Sequence, residues 1–473
     1  MNSFRKSFQM ISVYVALGFF ITVNPQNTSM AAWSSSPNVN SPVCTATAQQ
    51  SSPHIISDGS GGAIAAWEDT RNVHFDIYAQ RIGTDGNILW KKDGVPVCTA
   101  EENQNKLRLV SDGAGGVIIT WQDIRGGKSN SDIYAQHIDA AGNIRWTADG
   151  LPVCTEVNAQ NSPCIITDGD GGAIIIWQDF RTNYADLYAQ RISKSGEVLW
   201  KKNGVLVCGA SDAQSAPVAV EDGAGGGIVV WQDFRRSFAD IYGQRIDGSG
   251  NLLWERTGVP VCMALGHESY QVIVSNGAEG AIVAWIDTRN GNNDIFAQQV
   301  DGNGAVHWLE NGIPVCVAPD NQTYPAIASD GSGGAFLSWW DKRKGDFDIY
   351  AQHIDLAGNE SWEKNGLAIC IESGIQNSVD ITGDGQGGMI VVWNDNRLSN
   401  FDIFAQRIDR KGAPLWKKNG VAISTAPDTQ CFPILTNDNT GGAIIVWQDF
   451  RHKDESYWDI YAQRVYKQGQ LEE

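Results

Sequence analysis

The sequence predicts an all-β protein: an eight-bladed β-propeller with four strands per blade, its last blade completed by a strand from the N-terminal end. Three observations predict it. The string WxDxR recurs at Trp67, Trp121, Trp177, Trp231, Trp285, Trp339, Trp393 and Trp447, in steps of 54 residues with a single step of 56. Each copy is followed by a DIYAQR-like string beginning at Asp76, Asp132, Asp186, Asp240, Asp294, Asp348, Asp402 and Asp459, with Gln fifth every time. A third string, GxxxW, ends at Trp90, Trp146, Trp200, Trp254, Trp308, Trp362 and Trp416, which is one copy short of the other two. A fixed period of this size marks a propeller or a solenoid.

The missing copy decides between them. The chain stops at YKQGQLEE, before the eighth GxxxW tryptophan, while Trp33 in AAWSSSPNVNSPVCTA holds the place that Trp90 holds in ILWKKDGVPVCTA. A linear solenoid has no reason to split one repeat between its ends. A closed ring gains by it, because the N-terminal strand then finishes the last blade and leaves no open edge.

Each repeat reads as four short strands rich in branched and aromatic residues, bounded by Gly, Asp and Asn. In the first repeat they fall at about Pro53–Ser57, Gly62–Glu68, Phe75–Ile82 and Asn87–Trp90, with SDGSGG and GTDGN as the turns. The run AIIIW at Ala173–Trp177 is apolar on both faces, as a sheet stacked between two others requires. The composition agrees: 51 Gly supply the turns, and 18 Trp need many equivalent pockets.

Residues 1–31 read as a secretory signal, with Arg5 and Lys6 before an apolar stretch from Met10 to Val23 and a small-residue cleavage site after Ala31. An uncleaved anchor is the alternative, and the stretch is short for a membrane span. Residues 32–473 are then the propeller, secreted or held in the periplasm or at the cell surface, with no membrane insertion of the mature chain and a monomer as the expected state. The net charge of −19 repels phosphate backbones, which excludes nucleic acid as a partner.

The recurring polar residues read as architecture. Asp and Arg two apart on a strand point to one side and form a capping ion pair, and the Asp and Gln of DIYAQ tie strands together. Seven cysteines, Cys44, Cys98, Cys154, Cys208, Cys262, Cys316 and Cys370, share one repeat position, whose eighth copy is Ser424. Equivalent points on an eightfold ring lie about 0.77 of the radius apart, so beyond a radius of roughly 9 Å these cysteines exceed the ~7 Å disulfide limit. They are expected as small buried hydrophobes. Cys164 and Cys431 lie elsewhere, free or locally paired. The seven histidines show no metal-ligand spacing, and the SDGSGG-type turns lack an EF-hand or RTX pattern, so no metal is expected. No nucleophile elbow or phosphate loop stands in a suitable context, and no catalytic residue is assigned.

The repeat SDGxGGAIxxWxDxR…DIYAQRIDxxGNxLWxxxGVPVC resembles the repeats of exported bacterial β-propeller proteins from Trp33 almost to the end of the chain, a resemblance that implies the fold and no activity. The stretch Ile246–Trp254, IDGSGNLLW, is similar to the tryptophan-docking motif of eight-bladed quinoprotein propellers. Its Asp-to-Gly spacing is one residue shorter and the chain has no vicinal Cys pair, so no cofactor is expected. The SDGxGG…W turn is similar to the Asp box of sialidases, without its spacing or an arginine triad.

Loops joining the second to the third strand share one face with the blade-to-blade connections. Extra residues enter Arg125–Ser131 and Arg451–Trp458, whereas the 23-residue step from the Cys44 position to the next WxDxR tryptophan never varies. Variable loops on an invariant frame are where binding resides. The aromatic residues that break the pattern, Tyr184, Phe238, Trp340, Tyr457 and Trp458, are the candidate ligand-binding residues. The expected function is a noncatalytic binding or scaffold module for a glycan or a protein. Its rivals are a glycan-active hydrolase or lyase at the channel mouth and a structural subunit of a surface assembly.

Overall fold

The computed structural model describes residues 33–127 and 130–472, so the predicted leader at residues 1–31 lies outside the described residues. Thirty-two strands form eight antiparallel four-stranded sheets, one per blade, and no helix occurs among the described residues. In blade 1 the strands are Gln50–Ser57, Ala63–Asn72, His74–Ile82 and Val95–Cys98. The first strands of successive blades touch one another around a full circle, Gln430–Asn437 returning to Gln50–Ser57, so they line the axis and the fourth strands form the rim.

Closure is as the split repeat requires. In blade 8 the sheet order is Ser41–Cys44, Asp459–Val465, Ala443–Asp449, Gln430–Asn437, with Ser41 opposite Ala462 and Pro42 opposite Tyr461. Asn40 Nδ2 donates to the Ile423 carbonyl oxygen at 2.9 Å across 383 residues of chain.

One strand differs from expectation. The segment Asn87–Trp90 makes only an isolated bridge, Ile82 to Ile88, and the fourth strand is Val95–Cys98. Trp90 leaves its own blade to pack on the next one, and the chain must turn through Lys91–Gly94 before it can run along the rim. Gly94 sits at φ +90°, where a Cβ would lie 2.7 Å from the Trp67 ring, so only glycine fits that turn.

The docking of Trp90 repeats around the ring. Its Nε1 donates to the Ala140 carbonyl oxygen of blade 2 at 3.1 Å, and its ring covers Gly142, whose absent Cβ would sit 2.8 Å from it. All eight blades carry this bond, from Trp33 to Thr84 at 2.8 Å through Trp416 to Lys467 at 2.9 Å. Trp33 thereby serves the seam as Trp90 serves an ordinary junction.

The WxDxR unit is architectural. In blade 1 Asp69 Oδ2 accepts from Trp67 Nε1 at 2.9 Å, while Oδ1 accepts from the Arg71 backbone N–H and Nε, both at 2.9 Å. Arg71 lies 3.9 Å over the Tyr78 ring, and its Nη2 donates to Cys44 Sγ and to the Asp93 carbonyl oxygen of the next connection. The repeat-position cysteines are therefore buried free thiols, and burial pushes Cys44, Cys98, Cys154, Cys316 and Cys370 up to about 12. The Gln of DIYAQ satisfies three backbone groups: Gln80 Nε2 donates to the Lys91 carbonyl oxygen, and Oε1 accepts from the N–H groups of Arg81 and Trp90.

Candidate functional site

The inner strands carry an irregularity that the repeat makes eightfold. Opposite the second strand, Ser51 pairs with Glu68 but His54 with Ala66, so one extra residue bulges out of the inner strand. The same shift occurs in every blade. The third residue of each inner strand adopts a left-handed conformation with φ between 50° and 54°: Ser52, Lys106, Ser162, Ala216, Tyr270, Tyr324, Ser378 and Phe432. None is glycine, so each position holds strain on the order of 1 kcal/mol or more. Bulges of this kind re-aim a side chain out of the sheet.

Where they aim follows from the register. Gln50 pairs with Asp69, the end of the second strand, so the inner strands begin on the face that carries the loops between second and third strands. The ring of eight bulged residues therefore surrounds the mouth of the axial channel on that face.

Three blades make the mouth aromatic. Tyr270, Tyr324 and Phe432 are 54%, 43% and 58% exposed. Tyr270 and Tyr324 meet at a centroid distance of 4.8 Å, Tyr324 and Trp340 at 4.2 Å, and Trp340 and Phe347 at 6.0 Å. Trp340 stands opposite Thr323 on the inner strand, and both Trp340 Nε1 and Thr323 Oγ1 are buried without a partner among the described residues. Tyr270, Tyr324, Trp340 and Phe432 border a recess of about 470 Å³ that shares Val272, Pro325, Val379 and Asp380 with the channel proper, a cavity of about 700 Å³.

The opposite wall is polar. Arg108 Nη1 donates to His54 Nε2 at 3.2 Å and to the Leu107 carbonyl oxygen at 2.8 Å. Burial and then the Arg108 charge push His54 down to about 3, so the ring is neutral. Lys106 Nζ reaches Ser162 Oγ at 3.5 Å, and its backbone N–H donates to Glu68 Oε1 at 2.7 Å. Asp380 is the one carboxylate among the lining residues. Burial pushes it up to about 6, and its two oxygens accept from the Leu435 and Ile381 backbone N–H groups. Cys164 also lines the channel, its thiol pushed up to about 12 by burial and hence unreactive.

Of the sequence-predicted residues, Trp340 alone lies in this recess. Tyr184, Phe238, Tyr457 and Trp458 lie on the loops between second and third strands of blades 3, 4 and 8. There Phe238 sets its edge on His267 at 5.2 Å, and Trp458 packs on Phe450 at 4.6 Å while its backbone oxygen accepts from Gln50 N–H. Tyr184 and Tyr457 are exposed by 55% and 64% at separate loop tips. Tyr270, Tyr324 and Phe432 were not predicted; their signal is an aromatic at the third inner-strand position, where other repeats have Ser, Ala or Lys.

One trio of side chains brings metal-ligand atoms together among the described residues: Cys262, Glu268 and Asp287, all buried. Its chemistry does not suit a cation. Asp287 is already spent on Trp285 and Arg289, the Arg289 guanidinium lies against Cys262 and Asp287, and Glu268 is pushed up to about 9 by burial and by Asp287.

No family model and no curated protein matches the chain. Solved structures do. A puromycin-hydrolyzing peptidase of Mycobacterium tuberculosis aligns with a TM-score of 0.45 at 10% identity over 88% of this chain, which spans 61% of that one. A sialidase of Hadza microbial origin aligns with a TM-score of 0.37 at 12% identity over 82% of this chain and 73% of its own. A Penicillium chrysogenum α-L-arabinanase complexed with arabinobiose aligns with a TM-score of 0.39 at 12% identity over 65% and 94%. At these identities the likeness concerns the fold, and no residue role transfers.

Proposed function

We propose that the chain is an exported, noncatalytic binding module that takes a glycan at the channel mouth, on the face carrying the loops between second and third strands. The observation that carries this reading is the set Tyr270, Tyr324 and Phe432, large rings left in water on strained bulges around one recess, with Trp340 packed against Tyr324. Saccharides offer a C–H face to such rings and hydroxyls to the polar groups around them. The lining holds one carboxylate, already accepting two backbone N–H groups, whereas glycoside hydrolysis uses a facing pair.

The test is a glycan array followed by calorimetry with Tyr324→Ala and Phe432→Ala. Removing a stacking ring is expected to weaken binding about tenfold or more, on the order of 1–3 kcal/mol, with the melting temperature unchanged to within about 2 °C. Unchanged affinity in both variants refutes the site. A hydrolase or lyase at the same mouth is the rival reading, favoured by one observation, the position of Asp380 near neutrality. Turnover on a glycoside panel that disappears in Asp380→Asn establishes the rival.

A further inference from the structure

We propose that the glycan taken at the channel mouth is an acidic one, its carboxylate held by the Arg108 guanidinium with Lys106 beside it while a sugar ring lies against the Tyr270–Tyr324–Trp340 row. This inference rests on the reading of the mouth as a glycan site, and adds to it the charge of the ligand and the residue that reads that charge.

Three features of the polar wall support it. First, Arg108 has only neutral partners: among the described residues it bonds His54 Nε2 and the Leu107 carbonyl oxygen, and no carboxylate lies within ion-pairing distance. The arginines of the WxDxR repeat behave differently; Arg71, Arg125, Arg181, Arg235, Arg289 and their counterparts each hold an aspartate at 2.5–2.6 Å. In a chain of net charge −19 a guanidinium that lines a cavity without an ion pair is an exception. Arg108 is solvent-exposed and lines the channel, so its guanidinium stands open to an anion that enters there.

Second, the groups that face Arg108 do not supply that anion. His54 is neutral. Glu68, whose charge is felt at Arg108, has its Oε1 on the Lys106 N–H and is itself pushed up by burial. Cys164 holds its proton, and Asp380, across the cavity, is committed to backbone N–H groups. Lys106, on the same strand, adds a second cation whose Nζ meets only the Ser162 hydroxyl at 3.5 Å.

Third, the two cations border the same continuous space as the rings: Lys106 and Arg108 line the channel cavity, which shares four residues with the aromatic recess. The planar fork of arginine holds a carboxylate in two parallel bonds, the edge that a uronate or another sugar acid presents.

The experiment uses the mature chain and pairs of oligosaccharides that differ only in charge: oligogalacturonate, oligomannuronate and sialyllactose, each beside its carboxyl-reduced neutral counterpart, measured by calorimetry at low salt. At least one acid is expected to bind tenfold or more tightly than its neutral partner. Arg108→Gln is expected to abolish that preference by weakening the acid far more than its neutral partner, and Tyr324→Ala to weaken both members of the pair. Equal affinity within every pair, or a preference that survives in Arg108→Gln, overturns the inference and leaves the glycan site standing. Preference for a sulfated oligosaccharide over every uronate overturns the carboxylate assignment. Binding of no saccharide at all overturns the glycan reading, and this inference with it.

Discussion

Glu268 stands where seven blades have glutamine, and the exchange sets up a measurable pH dependence. In the other blades the amide spans the connection between sheets: Gln50 Nε2 donates to the carbonyl oxygens of Ala46 and Ala48 at 3.2 and 2.9 Å. A carboxylate has no hydrogen to give them. Glu268 is fully buried, both of its oxygens are unpartnered, and burial with the nearby Asp287 and Asp240 carboxylates pushes it up to about 9 from an ordinary 4.5. Its folded value is raised, so the folded state binds the proton more tightly than the unfolded state does. Stability is then greatest below pH 4.5 and is lost as pH rises from 4.5 toward 9. Each pH unit in that window costs about 1.4 kcal/mol, which makes roughly 4 kcal/mol at pH 7.5 and about 1 kcal/mol at pH 5.5. Glu268→Gln removes the titration and restores the amide bonds. Urea unfolding followed by tryptophan fluorescence is expected to show the variant more stable than the parent by several kcal/mol at pH 7.5, with the gain shrinking toward pH 5.5. A gain that does not change with pH, or a variant less stable than the parent at pH 7.5, refutes the reasoning.

Other outcomes follow from the same geometry. Asp402 is pushed up to about 7 by burial and then by Asp395, which faces it across the sheet, and Asp132 and Asp348 up to about 6; these raised values add to the loss of stability between pH 4 and 7, and Asp402→Asn should flatten that part of the stability profile, as thermal melts at pH 5 and 8 will read. Trp33→Ala removes a buried ring and its bond to the Thr84 carbonyl oxygen, at a cost of about 3–5 kcal/mol; a loss under about 1 kcal/mol in chemical denaturation would mean that the seam does not hold the ring. The seven repeat-position thiols and Cys431 should resist Ellman's reagent in the folded protein at pH 8 and react together on unfolding, since all eight are buried; rapid labelling of several equivalents in the native state contradicts this.

The fold was legible because its evidence is redundant. Eight copies of WxDxR, each closing on an arginine, a tyrosine or phenylalanine ring and the next connection, leave one architecture that satisfies them, and the displaced Trp33 marks the closure. The fourth strand was misplaced because Ile88 and Leu89 have strand-like character, whereas the path is decided by the docking of Trp90 and by Gly94, a tertiary effect that no local window contains. The site was half legible for a related reason. Length variation in Arg125–Ser131 and Arg451–Trp458 drew attention to the face on which Tyr184, Phe238, Tyr457 and Trp458 also lie, but the mouth varies in identity at constant length. Reading the inner strand from Pro53 left Ser52 and its counterparts Tyr270, Tyr324 and Phe432 outside it, although a bulge makes this column point at the ligand space. Trp340 stands out because it breaks the repeat at a second-strand position where six of the other seven blades have an amide or an acid.

Among the described strands of the ring, Ser41–Cys44 is synthesised first and its partner Asp459–Val465 last. Until that final segment appears, the opening strand has no mate, and the exposed flanks of blades 1 and 8 have nothing to lie against. Joining ends about 420 residues apart carries a chain-entropy cost of roughly 5 kcal/mol on the logarithmic scaling of loops, met in one cooperative act by the Trp33 dock, the Asn40 bonds and the pairing of the two segments. Assembly of this protein therefore ends where it began, and a chain halted a few dozen residues early has seven finished sheets but no circle.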